Sequence, residues 1–211
     1  MTDKPDSAAI FDTIPSHLVR EGFLGVDMVS ALLDHAAENE SRFADSTVGN
    51  TANERVNPAI RVSSILWDFG PLKKEIKSRF KAALPDALEN LGMPAFELYR
   101  TELELVAHAN GAFYNRHIDT AIDRDDTSVR VLTAVYYFHA EPKRFTGGNL
   151  RLLPLRYSAE EANHLDIEPA NDRLLLFPSW VPHRVMPVVS DSTDFRDSRF
   201  AINCWYRKRK A

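Results

Sequence analysis

The stretch Tyr114-Asn115-Arg116-His117-Ile118-Asp119 places an imidazole and a carboxylate two positions apart. In an extended chain such residues face the same side, about 6.6 Å apart along the strand, and can converge on one ion. His183, much later in the chain between Pro182 and a β-like run, offers a third donor. Two neutral imidazoles and one carboxylate on one face of an octahedron leave three positions open, the donor set of non-haem Fe(II) chemistry. His-x-Asp alone is weak evidence in a chain with seven histidines. His17, His35, His139 and His164 fall into no such pattern.

A further element raises the specificity. Arg199 heads the run Arg199-Phe200-Ala201-Ile202-Asn203-Cys204-Trp205-Tyr206. In a strand, Arg199, Ala201, Asn203 and Trp205 share one face, while Phe200, Ile202 and Cys204 share the other and suit a core. An arginine opening a buried strand needs an anionic partner. The dicarboxylate 2-oxoglutarate supplies one: its 2-oxo acid end chelates iron and its distal carboxylate takes a guanidinium fork.

The surrounding pattern must position these groups. The first third reads as mostly helical. Asp27 is a plausible N-cap for a helix whose apolar residues Val29, Leu32, Leu33 and Ala36 recur at helical spacing. Asp45 to Asn57 is polar and reads as a mobile loop, the candidate lid. Arg61 to Trp67 reads as a strand. Pro71 opens a second helix with Leu72, Ile76, Phe80, Ala83 and Leu84 as its stripe. Pro85 is expected to bend or stop it, with Gly92 and Pro94 beyond its end.

From Phe96 short β-rich runs alternate with turn clusters. The runs are Tyr99–His108, Val129–Phe138, Asn149–Leu153, Arg173–Phe177, His183–Val189 and Arg199–Tyr206. The fold class expected is α+β, mainly β: helices first (about 1–95), then an antiparallel β double sheet of jelly-roll type (about 96–207), in a single domain over 1–211.

Composition sets the bounds. The chain has 211 residues, 44% hydrophobic and 27% charged, with a net charge of -4. No overall positive field invites nucleic acid, and Arg207 to Lys210 reads as a solvated end. The single cysteine, Cys204, excludes an intrachain disulfide and a thiolate metal cluster. The polar start is not a secretory signal, and no run approaches the ~18 apolar residues of a membrane helix. A cytoplasmic protein with no membrane partner is expected. The sequence leaves the oligomeric state open.

With these residues in hand, the chain from about Arg61 to Tyr206 resembles the prolyl-hydroxylase branch of the 2-oxoglutarate/Fe(II) dioxygenases. It is close in pattern to the hypoxia-inducible-factor prolyl hydroxylases and their bacterial relatives. The matching segments run in the family's order: Ala59-Ile60-Arg61 to Trp67, Phe113 to Asp119, Arg130 to Phe138, Gly147 to Leu152, Asp166 to Phe177, Pro182 to Pro187, and Arg199 to Tyr206.

The resemblance implies a double-stranded β-helix. It implies His117, Asp119 and His183 as iron ligands and Arg199 as the 2-oxoglutarate anchor, with Tyr137 bonding the same distal carboxylate. Leu150 and Trp205 would wall the pocket, and Arg61, Arg116 and Arg130 are candidate substrate contacts. His108 stands where the family carries a tyrosine; it either replaces that residue beside the co-substrate or is a spectator. Ser63 stands where the hypoxia-factor enzymes carry an acidic residue. The polar insert Ser190–Ser198 is expected to form a loop at the pocket rim.

The activity implied is hydroxylation of an unactivated C–H bond with Fe(II), 2-oxoglutarate and O2, with ascorbate a candidate reductant. A prolyl residue of a protein or peptide is the first choice of substrate, and a free amino acid or small metabolite the alternative. A carboxylate at Asp119 argues against a halogenase, which needs that site for halide. From a different class, a non-enzymatic β-sandwich holding metal or ligand needs no co-substrate anchor such as Arg199. A nucleic-acid demethylase would need a basic, aromatic-rich groove that the sequence lacks.

Overall fold

The computed structural model describes residues 11–49, 54–120, 127–158 and 160–210. Fourteen strands and two α-helices carry the fold among them. The strands are β1 (Leu18–Glu21), β2 (Ala44–Asp45), β3 (Arg61–Val62), β4 (Ser64–Leu66), β5 (Arg100–His108), β6 (Phe113–His117) and β7 (Ser128–Phe138). They continue as β8 (Thr146–Gly147), β9 (Leu150–Leu152), β10 (Leu165–Ile167), β11 (Arg173–Pro178), β12 (His183–Val185), β13 (Val188–Val189) and β14 (Arg199–Arg209). The helices are α1 (Val26–Glu38) and α2 (Lys73–Asn90).

A seven-stranded sheet runs β1-β11-β7-β14-β5-β4-β2, and a five-stranded sheet runs β10-β9-β12-β6-β3. Every pairing is antiparallel. This is the mainly β jelly-roll architecture expected.

Alternation in the large sheet builds two cores. Phe200, Ile202, Cys204 and Tyr206 of β14 join Leu105 and Ala107 of β5 and Ala134, Tyr136 and Phe138 of β7. Against this face lie Leu32 and Ala36 of α1 and Ile76, Phe80 and Ala87 of α2. The other face turns Val135, Tyr137, Leu175, Phe177 and Ala201 toward Leu150, Leu152 and Ile167 of the small sheet. Period-two alternation thus separates a structural face from a face open to chemistry. The Tyr206 hydroxyl donates to Phe80 O at 2.7 Å, tying sheet to helix.

Several expectations need correction. Asp27 does not cap α1; the N-cap is Gly25, without a side-chain cap bond of its own. The cap comes from a distant residue: Asp172 accepts from Leu24 N, Gly25 N and the Tyr136 hydroxyl. Pro85 does not stop α2, which runs on to Asn90. One missing N–H costs less than releasing Leu84, Ala87 and Leu88, all buried around it. Gly92, at φ +63°, ends the turn after the helix as expected.

The expected strand Arg61–Trp67 is divided between the two sheets, β3 pairing with β6 and β4 with β5. Ser63 sits at the crossing, where its hydroxyl accepts from Arg61 Nε and donates to Ser46 Oγ. His183–Val189 is likewise broken, because Pro187 cannot donate to a ladder. The helical first third also contributes β1 to β4.

Candidate active site

The pocket opens between the two sheets. Its lining includes His117, Asp119, His183, Arg199, His108, Leu150, Trp205, Arg61 and Arg130. On β6 and β12, His117 and His183 face each other as a register pair, their ring centroids 4.2 Å apart. Asp119 follows β6, with its N–H donating to Ser179 O at 2.9 Å. Thr133 of β7 donates to Asp119 Oδ2 at 2.7 Å and meets Ser179 Oγ at 2.9 Å. The carboxylate is thereby aimed between the two rings.

His117 Nδ1 donates to Asn115 O at 2.8 Å, and His183 Nδ1 to Val181 O at 2.9 Å. Those bonds fix the tautomers and leave both Nε2 lone pairs facing inward. The two Nε2 atoms lie 3.7 Å from Oδ1 and Oδ2 of Asp119 respectively. That is too long for a hydrogen bond, and all three ligand atoms lie within 4.8 Å of one another. Burial, then the neighbouring His183, pushes His117 down to about 3, so its imidazole is neutral at pH 7. Burial works against ionisation of Asp119, but its coupling to the His183 and His117 pair, with Arg130 behind, holds its carboxyl below the usual range, so that a proton in the cluster goes to a ring before it goes to the carboxylate. Two imidazoles with Nε2 turned inward and one carboxylate fit Fe(II) and leave coordination positions free.

Arg199 is only 1% exposed. Its Nε donates to Gly148 O at 2.8 Å and its Nη1 to His108 Nδ1 at 3.1 Å. Its Nη2 is buried without a partner, as is the Tyr137 hydroxyl. The guanidinium carbon lies 5.0 Å from the centroid of the Tyr137 ring, so the two side chains are neighbours. No carboxylate among the described residues pairs with Arg199. A buried, unpaired cation beside an unpaired hydroxyl is expensive unless an anion arrives. The distal carboxylate of 2-oxoglutarate fits both.

His108 is the acceptor for Arg199 rather than a spectator. Burial first, then Arg199, holds it well below its ordinary value, so it stays neutral and can accept. Gly148 is required here: at φ +66° a Cβ would stand 2.8 Å from Arg199 Cδ and 2.9 Å from Val188 Cγ2.

Leu150, Trp205, Arg61 and Arg130 line the pocket. Arg61 lies over the Tyr114 ring and Arg130 over the Trp205 ring. Arg116 does not line it. Its guanidinium donates to Pro154 O and covers Tyr157 elsewhere on the surface. The insert Ser190–Ser198 does not rim the pocket either: Phe195 packs on Phe43 and Phe200, and Arg196 pairs with Asp34 of α1. Of the candidate lid, Thr47, Val48, Gly49 and Glu54 line the pocket, and Val48 and Arg55 are bridged by two backbone bonds. Residues 50–53 lie outside the described residues.

Two features escape a reading of the sequence. Glu104 of β5 lines the pocket with Oε2 buried and unpartnered. The signal for it is the alternation Glu102-Leu103-Glu104-Leu105, which sets both acids on the face of Val106 and His108. The second is a bulge: Val185 opposes Tyr114 while His183 opposes His117, so two residue steps along β12 span three along β6. It lets Tyr114 stack on His117 with centroids 3.6 Å apart.

A jelly roll with two histidines, one carboxylate and a buried arginine in a single pocket has the ligand set of a mononuclear iron oxygenase and a cation placed to suit a dicarboxylate co-substrate. Residues 103–207 match the 2OG-Fe(II) oxygenase superfamily, so the chain carries a 2OG-Fe(II) oxygenase domain. It is 33% identical over 199 residues to an uncharacterized PKHD-type hydroxylase of Synechocystis sp., covering 90% of this chain. The chain spans 62% of that relative's length. A Pseudomonas putida prolyl-4-hydroxylase superposes with a TM-score of 0.66 at 25% identity, covering 96% of this chain and 99% of that one. A Trichoplax adhaerens prolyl hydroxylase, solved with a hypoxia-inducible-factor degradation-domain peptide, also gives 0.66, at 26% identity. It covers 90% of this chain and 82% of that one.

Proposed function

We propose that the protein is an Fe(II)- and 2-oxoglutarate-dependent hydroxylase acting on a prolyl substrate. One observation carries the reading: the His117–Asp119–His183 cluster shares a pocket with Arg199, whose buried Nη2 lacks an acceptor. His117, Asp119 and His183 would hold the metal, and Arg199 with Tyr137 the distal carboxylate of 2-oxoglutarate. Bound Fe(II), with O2 and 2-oxoglutarate, supplies an oxidant that hydroxylates a C–H bond while 2-oxoglutarate becomes succinate and CO2.

The chain's own part is orientation and exclusion. Thr133 and Ser179 fix the Asp119 carboxylate; the two backbone carbonyls fix the imidazoles. Gly148 O and His108 fix the guanidinium plane so that Nη2 meets an incoming carboxylate. Leu150 and Trp205 keep water from the reacting centre. The prolyl assignment is drawn from the Pseudomonas and Trichoplax enzymes, both prolyl hydroxylases by name.

The test is succinate formation from 2-oxoglutarate with Fe(II) and ascorbate, in the wild type and in His117→Ala. Turnover in the first alone, with one oxygen gained on a prolyl substrate, is expected. Binding of 2-oxoglutarate by both chains with turnover by neither would favour the non-enzymatic sandwich.

A further inference from the structure

The register of the large sheet lays out the pocket floor in rows. His108 pairs with Arg199, Val106 with Ala201, Glu104 with Asn203 and Glu102 with Trp205. From β7, Tyr137 stands beside Ala201, Val135 beside Asn203 and Thr133 beside Trp205. The first two rows serve the co-substrate carboxylate, and Thr133 in the fourth holds Asp119. Glu104, in the row between, has no task in the hydroxylase reading.

Its surroundings are not those of a structural acid. Oε2 is buried with no hydrogen-bond partner. The cations that influence it are Arg61 and Arg130, yet neither makes a hydrogen bond or ion pair with it. Burial pushes its carboxyl up in spite of those two charges. Each arginine is held by Nε alone, Arg61 to Ser63 Oγ and Arg130 to Glu102 Oε2, both at 2.9 Å. Each is also braced on an aromatic ring, at 4.9 Å over Tyr114 and 3.8 Å over Trp205. Their Nη groups are uncommitted among the described residues. This part of the pocket therefore presents one unpartnered carboxylate oxygen and the unengaged Nη groups of two guanidiniums, of which Arg130 is already paired with Glu102 through Nε.

We propose that this end of the pocket is built for a free α-amino acid, Glu104 receiving the protonated amine and Arg61 and Arg130 the carboxylate. The proposal rests on the hydroxylase reading for the site it serves. An internal prolyl residue is the wrong ligand for it. Its nitrogen is a tertiary amide with no hydrogen and no charge, so Glu104 would stay buried and unpaired beneath the substrate. Free proline offers two N–H donors on a cationic nitrogen and a carboxylate that suits a guanidinium. The zwitterion meets the Glu104 carboxylate and the open Nη groups of both arginines at once, whereas a capped prolyl unit brings no charge to any of them.

Titration calorimetry on the full chain with Mn(II) and 2-oxoglutarate, under nitrogen, reads binding without turnover. The probes are L-proline, a panel of other free α-amino acids, and N-acetyl-L-prolinamide. L-Proline or another member of the panel is expected to bind at least about tenfold more tightly than the capped amide. Glu104→Gln should weaken the amino acid by about ten- to hundredfold, the range for a lost charged hydrogen bond, and leave the capped amide within about threefold. Glu104→Met serves as a second variant if the first misfolds. Tighter binding of the capped amide, unaltered amino-acid affinity in the variants, or no binding by any free amino acid overturns the proposal. The heat of 2-oxoglutarate binding is recorded first. Its absence sinks the hydroxylase reading; its presence with a preference for the capped amide sinks only the amino-acid one.

Discussion

Gly148 offers a way to disturb the co-substrate anchor without replacing any side chain that would contact co-substrate or metal. In Gly148→Ala the new methyl carbon would stand 2.8 Å from Arg199 Cδ, 3.1 Å from Arg199 Nε and 2.9 Å from Val188 Cγ2. Ordinary carbon–carbon contacts begin near about 3.5 Å, so the guanidinium stem must retreat by roughly 0.7 Å or more. A shift of that size breaks the Nε bond to Gly148 O or the Nη1 bond to His108, and turns Nη2 away from the carboxylate. Losing one charged hydrogen bond is worth roughly 1.5–3 kcal/mol, or about ten- to hundredfold in 2-oxoglutarate affinity. The backbone adds its own cost, since φ is +66° and an alanine there loses roughly 1–2 kcal/mol of stability. Gly111 separates the two effects. At φ +78° a methyl added to it would meet nothing within 4 Å, so Gly111→Ala carries the backbone strain alone. The assay is 2-oxoglutarate binding by calorimetry beside thermal melting, for both variants. Both should melt lower than wild type, while only Gly148→Ala should bind 2-oxoglutarate poorly. Equal affinities in the two variants would refute the packing argument and the role given to Arg199 with it.

Tyr137→Phe should divide stability from binding: removing a buried hydroxyl that has no partner stabilises the unliganded protein by roughly 1–3 kcal/mol, while weakening 2-oxoglutarate several-fold. Melting and binding curves on the same sample check both signs, and a variant less stable than wild type would contradict the assignment. The metal-free protein should also lose stability in acid. His117 is held at about 3 by burial and His183, and His108 well below 6.5 by burial and Arg199. The unfolded chain takes up these protons near pH 6.5 and the folded chain refuses them until far lower. Stability is therefore full above about pH 6.5 and falls as the pH drops toward 3. The urea midpoint, followed downward from neutral pH, should show this fall, and His108→Asn should flatten part of it. An unchanged slope would mean that His108 is not the buried neutral acceptor.

How much of the molecule is legible in its sequence depends on whether the information is local. The split of β14 into Arg199, Asn203 and Trp205 on one side and Phe200, Ile202 and Cys204 on the other follows from period-two alternation, and the two faces meet the pocket and the helical core as that alternation requires. The end of α2 is misplaced at Pro85 because propensity weighs one lost bond and cannot weigh Leu84, Ala87 and Leu88 packing beneath it. The cap on α1 is misplaced because its donor set is answered by Asp172, distant in sequence and adjacent only after β11 has paired with β1 and β7. Arg116, a candidate substrate contact in the sequence, turns its guanidinium to Pro154 O instead.

The bulge between β6 and β12 shows why the substrate end resists the same reading. Tyr114 and His117 are three apart, an odd spacing that puts side chains on opposite faces of a regular strand. They stack here because Tyr114, Asn115, Arg116 and His117 are accommodated against only Val185, Arg184 and His183, and the extra residue turns one face onto the other. That turn also brings Arg61, which pairs with Tyr114 in the neighbouring strand, over the Tyr114 ring and into the pocket. The iron-binding spacing survives because His117 and Asp119 both lie beyond the bulge. The placing of Arg61 where its charge reaches Glu104 is thus set by a register that no local pattern announces, whereas Arg199 declares its need for an anion by opening an otherwise apolar strand.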